Sequence, residues 1–297
     1  MAVSGLRGDA NRVTGVTLDN GDTLAADLVV DATGRGSRSD RWLAALGCAI
    51  PETAEVKIGV GYASLFLRRE PSHLTEGKGI FILPTPPGKR AGLLLPVEGD
   101  RWLVSMGGWH GDFPKHPGDF PRFAADLPHP TIHKVLQTAE PLSDLTSYGF
   151  PSSKRRYFEK LRRVPGGYVA TGDAVCSFNP IYGQGMTCAT LDALALGRQL
   201  DKHGSASSAM AAGFYREIGD ILSTPWRFAV GGDFSFPETT GPRPRGISLL
   251  NGYSRRIQLA SRIDSDVRRA FTSVQHLIAP PTILFTPSMI AKVLRAS

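Results

Sequence analysis

The chain holds no apolar run approaching the roughly 18 residues needed to cross a bilayer. Its first residues, MAVSGLRGDANRV, contain no apolar core of a secretory leader. It has only three cysteines, Cys48, Cys176 and Cys188, with no C-x-x-C spacing. An odd, scattered set excludes a disulfide framework and fits a reduced, cytoplasmic protein. There is no G-x-S-x-G elbow and no G-x-x-x-x-G-K-[ST] loop, so hydrolase and P-loop chemistries lack support. No internal repeat and no low-complexity tract interrupts it. The net charge of +7 falls short of a nucleic-acid tail and points to an anionic small-molecule ligand or an anionic surface. Across 297 residues, 41% apolar and 21% charged, there is enough material for one large or two modest cores.

What is present begins with strands. Residues 12–18 alternate, and Asn20-Gly21 follows as a two-residue hairpin signal. Leu28-Val29-Val30 is apolar without alternation, which predicts a strand buried on both faces, as in a parallel sheet. Residues 39–46 read as a short helix closed by Gly47. From 51 to 165 the texture becomes β-rich, in pieces such as KIGVGYASLFLRR, RAGLLLPVE and RWLVSMGGW, with a helical piece near DFPRFAADL. Without a βαβ rhythm, this stretch predicts an antiparallel sheet inserted between two parts of another domain. Residues 166–173 return to a short apolar strand, and a helix follows to Gly204. Residues 205–297 read as mostly helical, with Ile263, Val267, Ala270, Val274 and Leu277 at helical intervals.

The most informative stretch is GDAVCSFNPIYGQGM, residues 172–186. Its strand delivers Asp173 to the carboxyl edge of a sheet, where open α/β sheets bind ligands. A carboxylate there can accept hydrogen bonds from sugar hydroxyls. Pro180 fits a fixed turn, and Gly183 and Gly185 let a flat ligand approach the backbone. A helix starting near Met186 aims free N–H groups and its positive dipole end at that ligand. These features suit a planar group of partial negative charge with a polyol attached, as an isoalloxazine with its ribityl chain is. An ordinary strand–turn–helix accounts for the spacing alone about as well.

GDAVCSFNPIYGQGM resembles the second FAD-contacting motif of flavin-dependent monooxygenases of the p-hydroxybenzoate hydroxylase class. ADLVVDATGRGSRSDRWLAALG is similar to the segment of the same proteins in which a strand ends in Ala-Thr-Gly or Ala-Asp-Gly. The two stand in the family's order with a β-rich segment between, and the likeness covers residues 13–200. The resemblance implies an α/β fold: an FAD-binding Rossmann-like domain (1–50 and 166–204), an inserted β-sheet substrate domain (51–165) and a helical C-terminal region (205–297). It implies that Gly172 and Asp173 meet the ribityl or pyrophosphate side of FAD and that Pro180 packs beside the ring. Gly183, Gln184, Gly185 and Met186 would line its pyrimidine end through their backbone. Ala32, Thr33 and Gly34 would lie near the diphosphate–adenosine half. Where many relatives carry Asn after Gly-Met, this chain has Thr187 and Cys188.

The implied activity is a flavin oxidoreductase, foremost a monooxygenase that uses NAD(P)H and O2 on a small organic substrate. An FAD-dependent reductase of isoprenoid-type double bonds is the alternative, and halogenation lacks a W-x-W-x-I-P motif. The family's opening G-x-G-x-x-G is missing: the pairs at Gly34, Gly59, Gly77 and Gly183 all lack the third glycine. The expectation is therefore an N-terminally truncated member, with FAD bound weakly or not at all by this chain. A non-catalytic remnant or binding module follows as a third reading. No catalytic residue stands out, since the cofactor carries the chemistry.

Other groupings carry less. His129 and His133 stand four apart without a third ligand, so no metal site is expected. The basic run SSKRRYFEKLRR, 152–163, reads as a solvated face rather than a seat for nicotinamide phosphates. Arg255, Arg256, Arg262, Arg268 and Arg269 read likewise, which leaves peripheral membrane contact open and predicts no spanning segment. Trp102, Trp109, Phe66 and Phe81 are expected in a core, with a place for some of them in the lining of a substrate pocket as the alternative.

Overall fold

A computed structural model describes residues 1–74 and 76–295. It divides into two compact units. The first comprises 1–55, 153–232 and 242–297; the second comprises 56–152 and 233–241.

The chain opens with β1 (Val3–Gly8), β2 (Val13–Leu18) and β3 (Thr23–Ala25), an antiparallel sheet in that order. The β2–β3 hairpin does turn at Asn20-Gly21, but through a longer loop than the two-residue turn expected: Leu18 N–H donates to Asp22 O at 2.9 Å, Gly21 N–H to Leu18 O at 3.1 Å, and Gly21 takes φ +89°. β4 (Val29–Asp31) and α1 (Ser39–Ala45) follow. β5 (Thr53–Arg68) then carries the chain into the second unit.

There it is joined by β6 (Ile80–Ile82), β7 (Arg90–Val97), β8 (Arg101–Gly108), α2 (Asp119–Ala125), α3 (Thr131–Thr138) and β9 (Thr146–Arg156). The sheet runs β9-β5-β8-β7-β6. One face of it packs on α2 and α3 through Ala63, Leu94, Val104, Met106, Phe120, Ile132 and Val135. Alternation explains that choice, because every second residue of β5 and β8 turns to the helices. Trp102 and Trp109 are buried as expected and Phe66 is half-buried, but Phe81 is 65% exposed. β6 is the last strand of the sheet, so Phe81 has a neighbour on one side alone.

In the first unit the chain resumes with β10 (Tyr168–Ala170), β11 (Cys176–Ser177), α4 (Gly185–His203), α5 (Ser208–Asp233), α6 (Ile247–Ala260), α7 (Ser265–Gln275) and α8 (Pro287–Arg295). β10 pairs with β4 in parallel, Tyr168 opposite Val29 and Ala170 opposite Asp31. The parallel pairing is as the sequence predicts, but burial on both faces is not: Val30 is 42% exposed. Among the described residues β4 pairs with β10 alone, so Val30 lies on an open edge while its partner Val169 is fully buried. β11 pairs with the end of β9, Cys176 opposite Arg155. α4 ends at Gly204 in the left-handed region, φ +63°, the expected C-cap. Val267 and Val274 of α7 are fully buried, whereas Ile263 precedes the helix and is 72% exposed, since Asp264 caps α7 after it.

The unit boundaries differ from 51 and 165. Tyr157 N–H donates to Glu52 O at 2.9 Å and Lys160 reaches Glu52, which ties 153–165 to the first unit. Residues 233–241 join the second unit, where Trp109 Nε1 donates to Asp233 Oδ1 at 3.0 Å and stacks on Phe236. The basic run is a solvated face only in part: Lys160, Arg162 and Arg163 are exposed and Lys154 is half-buried. Arg155 and Arg156 are 6% and 7% exposed, each drawn in by acceptors from distant segments. Arg255, Arg256, Arg262, Arg268 and Arg269 do lie at the surface.

Candidate flavin site

Two turns meet at one edge because β4 and β10 run in the same direction. Ala32, Thr33 and Gly34 follow β4; Gly172 and Asp173 follow β10. Thr171 N–H donates to Asp31 O at 3.0 Å, which closes the pair at its carboxyl end. The structure thus brings together residues about 140 positions apart that the sequence treats as two motifs. Ligands of such sheets bind beyond their carboxyl ends.

Asp31, 3% exposed, organises the first turn. Its Oδ1 accepts from Thr33 N at 3.0 Å and from the Thr33 hydroxyl, while Oδ2 accepts from Ser37 Oγ at 2.6 Å and Tyr168 OH at 3.1 Å. Four donors on one carboxylate satisfy a buried charge that would otherwise be costly. Burial and the adjoining Asp31 and Tyr215 push the Tyr168 phenol far above its ordinary range, so it remains a donor.

A second buried carboxylate, Asp192 of α4, holds the second turn. Its Oδ2 accepts from Gly172 N at 3.0 Å, with the Thr171 hydroxyl at 3.5 Å. It is fully buried, and among the described residues its Oδ1 has no hydrogen-bond partner. Burial raises its carboxyl to about 6, against the opposing pull of the Gly172 and Thr171 donors. Gly172 stands at φ +58°, a conformation in which a side chain is strained. Asp173 is exposed at the edge, beside Arg35. Desolvation lifts its carboxyl above the usual range, and the neighbouring Ser177 hydroxyl and Arg35 guanidinium pull it back.

The third piece is the mouth of α4. Asn179 is fully buried, and its Oδ1 accepts from Ile181 N at 3.1 Å. That bond and Pro180 build a single 3-10 turn over Pro180–Tyr182, which ends at Gly183 with φ +68°. α4 then starts at Gly185 with Gln184 as its cap residue, and no side chain caps the end. Its first N–H groups are left free for a ligand of partial negative charge. A Cβ added at Gly183 would meet nothing within 4 Å, and one at Gly185 would come no nearer than 3.9 Å, to Asp173 Oδ1. The glycines therefore face open space. Met186 is 84% exposed and Pro180 is exposed, so both present apolar surface to that space.

Gln184 departs from a backbone-only role. Its side chain is 8% exposed, and Nε2 donates to Gln275 O at 2.9 Å. This brings the end of α7 to the mouth of α4. A cavity of about 300 Å3 lies there, lined by Tyr182, Gly183, Gln184, Thr187, Gln275, His276 and Leu277. Leu277 sits at φ +58°, rare for a branched residue. No signal in the local sequence announces 275–277 as neighbours of the Gly183 turn. Asp192 could have been found: it lies on the buried face of α4 with Cys188 and Ala195, where a lone carboxylate calls for a donor.

Cys176 and Cys188 are both buried, and burial raises their thiols, Cys188 to about 12. They are poor nucleophiles at neutral pH. His129 contacts Thr131, and His133 contacts Pro121 O and Gln137. Among the described residues no three His, Cys, Asp or Glu side chains group as for a metal, and no helix is long and apolar enough to cross a membrane.

No protein-family model matches the chain. It is 35% identical over 245 residues to protein Rv3254 of Mycobacterium tuberculosis (strain ATCC 25618 / H37Rv), an alignment that covers 79% of this chain and 52% of that protein. The chain thus spans about half the length of the curated relative it matches. Among solved structures it is similar to a flavoprotein/dehydrogenase from Cytophaga hutchinsonii, with a TM-score of 0.64 and 16% identity over 93% of this chain and 62% of that one. It is similar to Klebsiella pneumoniae HpxO complexed with FAD and uric acid, with a TM-score of 0.56 and 16% identity over 99% of this chain and 66% of that one. A third is the tetrameric form of 2-methyl-3-hydroxypyridine-5-carboxylic acid oxygenase, with a TM-score of 0.53 and 20% identity over 74% of this chain and 56% of that one. At these identities the likeness is one of fold, a mixed α/β fold shared with flavoproteins and oxygenases.

Proposed function

We propose that the protein is a flavin-dependent oxidoreductase and that FAD lies across the two turns and the mouth of α4. The observation that carries this is the parallel pairing of β4 with β10, which sets both turns at one edge. The residues present fit the group. Gly183 and Gly185 leave open space beside an uncapped helix end, Asp173 offers a carboxylate at the surface, and Met186 and Pro180 offer apolar contact. Gly183, Gln184, Gly185 and Met186 would hold the pyrimidine end. Gly172 and Asp173 would hold the polyol or pyrophosphate side, and Ala32, Thr33 and Gly34 the diphosphate–adenosine half. When bound, FAD supplies hydride acceptance and O2 activation. The chain's own part is to bind, to orient and to exclude water.

In its finer form the reading is a monooxygenase acting on a small organic substrate with NAD(P)H as reductant. The likeness in fold to a flavoprotein solved with FAD and uric acid and to an oxygenase of a pyridine carboxylic acid supports that choice. The β-rich residues 56–152 of the second unit are assigned to the substrate, and the turns of the first unit to the flavin. The whole protein's activity is part of this proposal, because the matched relative is about twice as long as the aligned share of it.

Gly185→Leu tests the seat without harming the fold. Gly185 is the first residue of α4 and has no positive φ, so a side chain is tolerated there without backbone strain. The same side chain enters the flavin space. Titration of FAD against the 297-residue chain, followed by flavin fluorescence, is expected to saturate weakly, at about 10–100 μM. In Gly185→Leu it should weaken by about tenfold or more, while the melting temperature holds. Equal FAD binding by both proteins would refute this seat.

A further inference from the structure

Arg156 joins the two turns. It is 7% exposed at the end of β9, and its guanidinium spends its donors on three segments. Nη1 donates to Ala174 O at 2.9 Å, in the turn after β10. Nη2 donates to Ser37 O at 3.4 Å, in the turn after β4. Nε donates to Asp40 Oδ2 at 3.0 Å, in the first turn of α1. Its own N–H donates to Val175 O at 2.8 Å, so the backbone under the guanidinium is fixed as well.

We propose that Arg156 is a positioning residue for flavin binding: it ties the Ala32–Ser37 turn to the Gly172–Ala174 turn and so sets the distance between the two halves of the cofactor seat. The inference rests on the flavin reading given above. The fork is what the geometry requires. A planar guanidinium addresses two carbonyls and a carboxylate at once, from fixed directions, and an ammonium is a single point charge that cannot. The two carbonyls are the key partners. An arginine kept only to neutralise Asp40 would need neither, and among the described residues Asp40 Oδ1 remains without a partner even with Arg156 in place. The β4–β10 ladder aligns the strands up to Ala170 and Asp31. Beyond it, the buried Arg156 hydrogen-bonds both turns, while Arg35 of the first turn lies beside the exposed Asp173 of the second.

The consequence is specific. FAD touches both turns, whereas riboflavin is long enough only for the seat at 172–186. Loss of the tie should therefore weaken FAD and leave riboflavin nearly alone. Two readouts decide, with Arg156→Lys and Asp40→Asn made in the full 297-residue chain. The first is hydrogen exchange without ligand. In Arg156→Lys the amides of Ser37, Ser39, Ala174 and Val175 should exchange about tenfold faster or more, the scale of losing charge-assisted hydrogen bonds. The amides of Val104 and Met106 should keep their wild-type rates. Asp40→Asn, which leaves both carbonyl bonds, should change the four turn amides by about threefold or less. Wild-type rates at either turn in Arg156→Lys, or a uniform rise across the chain, would overturn the proposal.

The second readout is the ratio of dissociation constants for riboflavin and FAD. Arg156→Lys should weaken FAD by about tenfold and riboflavin by about twofold or less. Equal losses for both ligands would show a merely structural role and overturn it. A wild-type chain that binds neither ligand would count against the flavin reading, and the exchange rates would still decide whether Arg156 couples the turns.

Discussion

Asp192 carries a cost that its position explains. A fully buried carboxylate with one oxygen unpartnered among the described residues disfavours ionisation, and its folded carboxyl is held near about 6. The unfolded chain offers about 3.9. Folding therefore favours the protonated form. The stability this group lends is complete below about pH 4 and is lost as pH rises through about 6. At neutral pH the ionised form costs up to about 3 kcal/mol, and in return its charge grips the Gly172 N–H. Asp192→Asn removes the titration and keeps an acceptor. Its melting temperature relative to wild type should climb between about pH 4 and pH 6 and level off at either end. A difference that stays flat with pH would show that Asp192 does not titrate in this range. The same residue marks a limit of sequence reading. GDAVCSFNPIYGQGM displays its glycines and Asp173 openly, whereas Asp192 stands in an ordinary helical repeat. Only the fold shows that it reaches back 20 positions to the turn.

At the scale of elements, alternation was the most dependable guide. β7 and β8 fall within the β-rich pieces read from sequence, and β5 overlaps its piece but begins ahead of it at Thr53, because a half-covered sheet imposes a period of two on its strands. α4 was legible from its apolar spacing and its closing Gly204. Phe81 was not, because a residue pattern cannot tell a central strand from the last one. Arg155 and Arg156 were not either. Their burial depends on Gly219, Asp40, Ala174 and Ser37, which no local window contains. Val30 erred in the opposite direction, since an apolar strand core predicts two covered faces and β4 lies, among the described residues, on an open edge. A pair of substitutions checks this account of the sheet. Leu94→Ala, at a fully buried position facing α2 and α3, should cost about 2–5 kcal/mol in urea unfolding. Phe81→Ala should stay within about 0.5 kcal/mol of wild type. Comparable costs at the two sites would mean that the exposed face of β6 is covered in solution.

For the molecule as a whole, the claim is that two distant motifs form one seat. β4 and β10 are short, three residues each, and their ladder alone would leave the following turns loosely related. Asp31 stiffens the first turn, Asp192 the second, and Arg156 bridges them. Each is a buried charge placed beneath an exposed backbone, an arrangement that spends stability to hold a shape. The order of the motifs was visible in the sequence. Their adjacency needed the parallel pairing, and the charges beneath them needed the fold. The most direct test is a hydrogen-exchange footprint of FAD on the 297-residue chain. Saturating FAD is predicted to slow exchange at 33–37 and at 172–187 together, and to leave Val104 and Met106 of β8 as they were. Protection at only one of the two turns, or at neither, would contradict a single seat built from both.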